Sequence, residues 1–95
     1  MSLKLIGRFL VGRSATPVAI SDTEKHATAP LKYKDAQGAT HWVNATFKID
    51  VDRALDSIKK DASIFAEMSN LRTVLIDHGG KPIPVIEADV VDFGA

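Results

Sequence analysis

The chain has 95 residues, 45% of them hydrophobic and 25% charged, with zero formal net charge and no cysteine. This is the composition of an ordinary globular domain; it excludes disulfides, thiolate metal sites and a cysteine nucleophile, and no apolar run approaches the ~20 residues of a membrane-spanning helix. The N-terminal stretch has none of the layout of a secretory signal peptide, so a single cytoplasmic domain over residues 1–95 is expected.

Leu3 to Arg13 reads as a first strand. Leu3, Leu5, Phe9 and Val11 share one side, and Lys4, Ile6, Arg8 and Leu10 the other. Gly7 and Gly12 permit a bulge or a sharp bend that helps close a small barrel. Ile6 and Leu10 are apolar on the outer side, which suggests a homomeric contact through this strand. Ser14 to Pro30 is weakly patterned; a short strand near Val18–Ile20 and a mobile loop from Ser21 to Ala29 are predicted.

Leu31 to Ile49 reads as a hairpin. Asp35-Ala36-Gln37-Gly38 has Asp first and Gly last, as a type I turn prefers, and Gly38 suits the left-handed position of a three-residue loop. That loop length pairs Lys34 with Thr40, Tyr33 with His41 and Lys32 with Trp42. Paired residues share a face. Val43, Ala45, Phe47 and Ile49 then point to the core with Tyr33, and Trp42, Asn44, Thr46 and Lys48 share the opposite face with Lys32 and Lys34. A two-residue loop would instead turn both lysines onto the core side. The only tryptophan of the chain therefore stands among polar and cationic residues. A flat aromatic there is suited to stacking on a nucleic-acid base, and equally to packing beneath the 21–29 loop or in a subunit interface.

Val51, Leu55, Ile58, Ala62 and Phe65 recur at spacings of four and three, which predicts a helix from Asp50 to about Ser69. Asp50 is its cap, Asp52 complements the dipole and Asn70 is its stop. Leu71–Asp77 and Ile83–Phe93 read as strands about a His78-Gly79-Gly80-Lys81 turn, the second with Ile86, Ala88 and Val90 inward and Glu87 and Asp89 outward. The fold class is all-β to α+β: a small five-stranded barrel of the OB type with one helix between its third and fourth strands. In that architecture the surface of strands two and three takes up nucleic acid.

Four segments carry a resemblance. Leu5-Ile6-Gly7-Arg8 looks like a first-strand pattern of two apolar residues, Gly and a polar residue. Ala29 through Tyr33-Lys34-Asp35 to Gly38 and then Trp42 looks like an aromatic–turn–tryptophan segment. Ala54-Leu55 through Lys59-Lys60 looks like a short helix with a basic end, and Val85-Ile86-Glu87-Ala88 with Val90 looks like a final strand. Together they resemble the bacterial and phage single-stranded-DNA-binding protein family. The resemblance implies an OB barrel, binding of single-stranded DNA and assembly through the first strand. It also implies a shorter helix, with a strand at Ser63–Met68 where the apolar stripe predicts helix.

Residues 1–48 carry seven Lys/Arg against three Asp/Glu, and residues 49–95 five against nine, so the halves differ by sign at +4 and −4. Such halves can give a neutral protein a basic face, the alternative being surface charges that simply scatter. The expected interface is Trp42 as the stacking ring, Lys32, Lys34, Lys48, Arg8 and Arg13 along the backbone path, and Asn44 and Thr46 as hydrogen-bonding groups. The partner is single-stranded DNA, or RNA, bound without strict sequence preference; a protein–protein adaptor using the same face is the alternative. His26, His41 and His78 lack metal-ligand spacing, and no serine has a nucleophile-elbow context. No catalytic residue, metal or cofactor is expected.

Overall fold

The computed structural model describes residues 4–95, so Leu3 lies outside the described residues. Seven elements follow in order: β1 Leu5–Val11, β2 Thr16–Ala19, β3 Lys25–Lys34, β4 Thr40–Phe47, α1 Val51–Ser57, β5 Ser63–His78 and β6 Lys81–Gly94. Five strands form a ring in the order β1–β5–β6–β4–β3, closed where Leu10 and Val11 of β1 pair with Lys32 and Leu31 of β3. Among the described residues, only the β4–β6 pairing is parallel. β2 is a sixth strand laid along the β3 edge, from Thr16 opposite Thr28 to Ala19 opposite Lys25.

Gly12 follows the closing pairs. β1 ends there, the Gly12 N–H donates to the Pro30 carbonyl at 2.9 Å, and the chain turns along β3 into β2. Inside the ring the period-two alternation of every strand delivers its apolar set. Phe9, Val11, Ala27, Ala29, Leu31, Val43, Ala45, Phe47, Ile64, Ala66, Met68, Ala88 and Val90 are all buried. Ala54 and Ile58 of α1 join this core. Phe47 meets Phe93 edge to face at 5.0 Å, and the Arg53 guanidinium covers the Phe93 ring at 4.0 Å.

The β3–β4 hairpin has the predicted register: Lys34–Thr40, Tyr33–His41 and Lys32–Trp42. Gly38 takes the left-handed conformation at φ 85°, and its N–H donates to the Asp35 carbonyl at 3.0 Å. The Asp35 carboxylate accepts from the Gln37 and Ala39 N–H groups at 2.9 and 3.0 Å. It also lies 2.7 Å from His41 Nε2, whose ring stacks on Tyr33. These contacts hold the Asp35 pKa below its ordinary value, the His41 hydrogen bond contributing most, then the two backbone donors.

The helix is much shorter than its stripe predicts. It stops at Ser57; Ile58 is already extended, and Asp61 turns the chain at φ 70°. From Ser63 the chain is strand, with Ile64, Ala66 and Met68 buried alternately. Ala62 and Phe65 fit a helical stripe, but Ile64, Ala66 and Met68 fit a strand equally well. The choice falls to β1, whose residues Leu5–Leu10 pair with Met68–Ser63; a helix there would leave that edge without backbone partners. The shorter helix and the strand at Ser63–Met68 are what the family resemblance implied.

Other expectations also change. Asp50 makes no side-chain cap and sits left-handed at φ 47°, its carboxylate 3.2 Å from Arg53 instead. Asn70, at φ 55°, marks an irregularity in the β5–β6 ladder between Ser69 and Arg72 rather than a helix end. The predicted loop Ser21–Ala29 is a tight turn at Ser21–Glu24 followed by strand. Ala27 and Ala29 are buried there, and such small residues give little hydrophobic signal. Ile49 follows the end of β4 and is 44% exposed, and Ile86 is exposed because it lies on the part of β6 that precedes its pairing with β4 at Glu87, before the strand enters the barrel.

These two environments predict a contrast in stability. Phe47→Ala should cost about 3–5 kcal/mol, the usual loss for emptying a packed aromatic site. Ile49→Ala should cost about 1 kcal/mol at most, in proportion to the little surface it buries. Urea denaturation of the two variants checks this; equal losses would contradict the placement of Ile49.

Candidate nucleic-acid interface

The outer face of the sheet is a set of rows fixed by strand register. Lys32 sits beside Trp42. Pro30, Asn44, Glu87 and Arg72 form the next row, and Thr28, Thr46, Asp89 and Ser69 the one after. Trp42 is 53% exposed. Its ring edge rests on Gly12: a Cβ built at residue 12 would lie 2.4 Å from Cζ3 and 2.8 Å from Cη2. Lys32 Nζ lies over the ring at 5.4 Å from its centroid. Trp42 is thus neither under the 21–24 turn nor in the core.

A wall stands across from the ring. The β5–β6 hairpin runs past the barrel to a two-residue turn in which Gly79 and Gly80 both have positive φ, at 63° and 84°. The cross-strand pairs Val74–Val85, Ile76–Ile83 and His78–Lys81 share the face of Arg72–Glu87. Their apolar surface continues the outer face. Between this wall and Trp42 runs a groove of about 830 Å³, with Arg13 and Asn44 on its lining. A flat base inserted there meets apolar surface on one side and an aromatic on the other, with a cation close by.

Trp42, Lys32, Asn44 and Thr46 are brought together as predicted, and Arg13 joins them from the segment after β1. Lys34 lies at the hairpin end, where it lines a separate cleft of about 470 Å³ with Arg8, Leu10, Lys32 and Tyr33. Arg8 lies on the outer face of β1 between Ile6 and Leu10, and its guanidinium reaches the Ala95 carbonyl at 3.3 Å. Lys48 is on the face but occupied. Its Nζ donates to Asp89 at 3.2 Å, and Asn70 and Arg72 donate to the same carboxylate at 3.0 and 3.2 Å. Burial raises the Asp89 pKa, but the Asn70 and Lys48 hydrogen bonds and the Arg72 charge outweigh it and hold the group below its ordinary value.

The face is therefore polarised. Its cations without a carboxylate partner among the described residues are Lys32, Lys34 and Arg13, from the first half of the chain, and Lys81 at the far tip of the hairpin. Two acids, Glu87 and Asp89, enter the same face from β6. Sequence reasoning placed both outward but did not connect them to the interface, because the parallel β4–β6 pairing that sets them beside Asn44 and Thr46 joins distant segments. The hairpin wall and the Gly12 seat were missed for the same reason.

The Gly12 contact is directly testable. Gly12 does not have positive φ, so alanine fits its backbone, yet the methyl group collides with the indole. Gly12→Ala should shift the Trp42 fluorescence maximum while moving the thermal midpoint by no more than a few degrees (about the effect of 1 kcal/mol). An unchanged emission spectrum would mean that the ring does not rest on Gly12.

No family model matches the sequence, and no curated protein matches it. Solved structures do. A small single-stranded DNA-binding protein from Streptomyces coelicolor superposes with a TM-score of 0.80 at 13% identity, over 98% of this chain and 93% of that one. The single-stranded DNA-binding protein of Plasmodium falciparum, solved in complex with single-stranded DNA, gives 0.70 at 18% identity over 95% and 90%. The mitochondrial single-stranded DNA-binding protein Rim1 of S. cerevisiae gives 0.67 at 13% identity over 99% and 92%. The likeness spans nearly the whole of each chain, and what they share is the fold: an OB barrel with one short helix.

Proposed function

We propose that this protein binds single-stranded DNA with little sequence preference, and that it serves replication, recombination or a mobile element in the cytoplasm. One observation carries the reading: an exposed tryptophan seated on a glycine, beside a lysine, at the edge of a groove with an apolar far wall. Trp42 stacks a base, Lys32, Lys34 and Arg13 line the phosphate path, and Asn44 and Thr46 hydrogen-bond to the strand. Lys48 contributes little because Asp89 already holds it. The fold shared with three single-stranded DNA-binding proteins supports DNA as the partner.

The outer face of β1 is assigned to self-association. Ile6 is 57% and Leu10 38% exposed. Along Leu5–Phe9 the β1 backbone pairs with β5 alone, since β3 meets it only at Leu10 and Val11. A second copy related by a two-fold axis satisfies this edge and covers both side chains. It also covers Arg8, which lies between them, so Arg8 belongs to this contact and not to the DNA path.

Fluorescence titration with poly(dT) tests the binding. Lys32, Lys34 and Arg13 along the path predict a log–log salt slope of about −2, at roughly 0.7 counterions released per phosphate. Trp42→Ala should lose ~1–3 kcal/mol of binding with the slope nearly unchanged. Lys34→Ala should weaken binding evenly across sequences and lower the slope by somewhat under one unit (~0.7). Absence of binding at low salt, or indifference to both substitutions, would replace this reading with a protein–protein adaptor on the same face. For assembly, light scattering at tens of micromolar (on the order of ordinary assay concentrations) should give a dimer or higher even oligomer, and Ile6→Glu should give the monomer. A monomeric parent protein would remove the assembly proposal.

A further inference from the structure

We propose that the polar cleft beside Trp42 is a base-reading subsite that selects guanine through Glu87; this rests on the single-stranded DNA reading above. The cleft has a volume of about 190 Å³ and is lined by Arg13, Thr28, Asn44, Thr46 and Glu87 among others. It shares Arg13 and Asn44 with the Trp42 groove, so the two spaces adjoin. A strand with one base against Trp42 places a neighbouring base at this cleft.

Glu87 is the informative residue because a carboxylate on a face that receives a polyanion repels phosphate. The two acids on this face differ. Asp89 is saturated by Lys48, Asn70 and Arg72. Glu87 meets Arg72 only through Oε1 at 3.4 Å, which leaves Oε2 and a second lone pair on Oε1 as acceptors, and its side chain is one-third exposed. Register sets Glu87 directly beside Asn44. An anionic acceptor next to an amide matches a base edge that presents N–H donors beside a carbonyl oxygen. Guanine offers this on its Watson–Crick edge: N1–H and the N2 amino group donate to the carboxylate, and O6 accepts from the Asn44 amide. Thymine offers one donor between two acceptors. Cytosine offers one amino group with two acceptors, and adenine one amino group with one acceptor. Each of those leaves a carboxylate oxygen facing a lone pair or unpaired.

The test uses the full chain and thymidine tracts of about a dozen nucleotides with a single central substitution. A central dG should tighten binding about tenfold over all-dT, a discrimination typical of one bidentate base contact, and dC or dA should not. Deoxyinosine, which keeps N1–H and O6 but lacks the N2 amino group, should lose most of the gain. Glu87→Gln should bring dG and dT within about twofold of each other. Tight binding with no dG preference, a preference undiminished by inosine, or one that persists in Glu87→Gln overturns the guanine subsite and leaves the DNA reading standing. Absence of binding to every oligonucleotide overturns both.

Discussion

Three residues between Asp35 and Ala39 decide which side of the sheet meets solvent. Gly38 accepts a positive φ that a branched side chain resists, and the Asp35 carboxylate ties down the N–H groups of Gln37 and Ala39. That geometry fixes an odd-length loop, and with it the pairing of Lys32 with Trp42. Because strand side chains alternate, a slip of one residue would bury Lys32 and Lys34 and expel Leu31 from the core. Everything proposed about the outer face follows from this register. The core enforces it from within, since Val43, Ala45 and Phe47 are buried only in this pairing.

Charge on the face is organised by neutralisation as much as by attraction. Asp89 gathers Lys48, Asn70 and Arg72 into one network that braces β4, β5 and β6. The network removes Lys48 from the cations available to a ligand and concentrates free positive charge toward Lys32, Lys34 and Arg13. A strand crossing the face thus meets a gradient from basic to acidic. Such a gradient favours phosphates on the β3 side and base edges on the β6 side, the orientation that Trp42 and its groove also require.

The hairpin was legible in the sequence because turn chemistry and alternation lie within twenty neighbouring residues and agree with each other. The β1 face assignment was legible for the same reason, from Phe9 and Val11 against Ile6 and Leu10. The helix was not. Its stripe, Val51, Leu55 and Ile58, runs on into Ala62 and Phe65 by coincidence of spacing, and only the edge of β1, some sixty residues earlier in the chain, makes strand the winning state. Ala27 and Ala29 hid a core strand because alanine scarcely marks either face. At the interface Trp42, Lys32, Asn44 and Thr46 could be read from one strand pair. Gly12 and Glu87 belong to long-range contacts that local patterns do not encode, and so does the placement of the local Ile76–Ile83 pair across from Trp42.

The measurement that bears most directly on the outer face as the binding surface is a ¹⁵N-resolved NMR titration with a short thymidine tract. The account predicts that the Trp42 indole N–H, the Asn44 side-chain amide and the Gly12 amide shift together, with the largest changes along β3, β4 and the inner side of the β5–β6 hairpin. Shifts confined to the Ile6–Leu10 face of β1 or to the Leu75 side of the hairpin, with Trp42 and Asn44 unmoved, would contradict it.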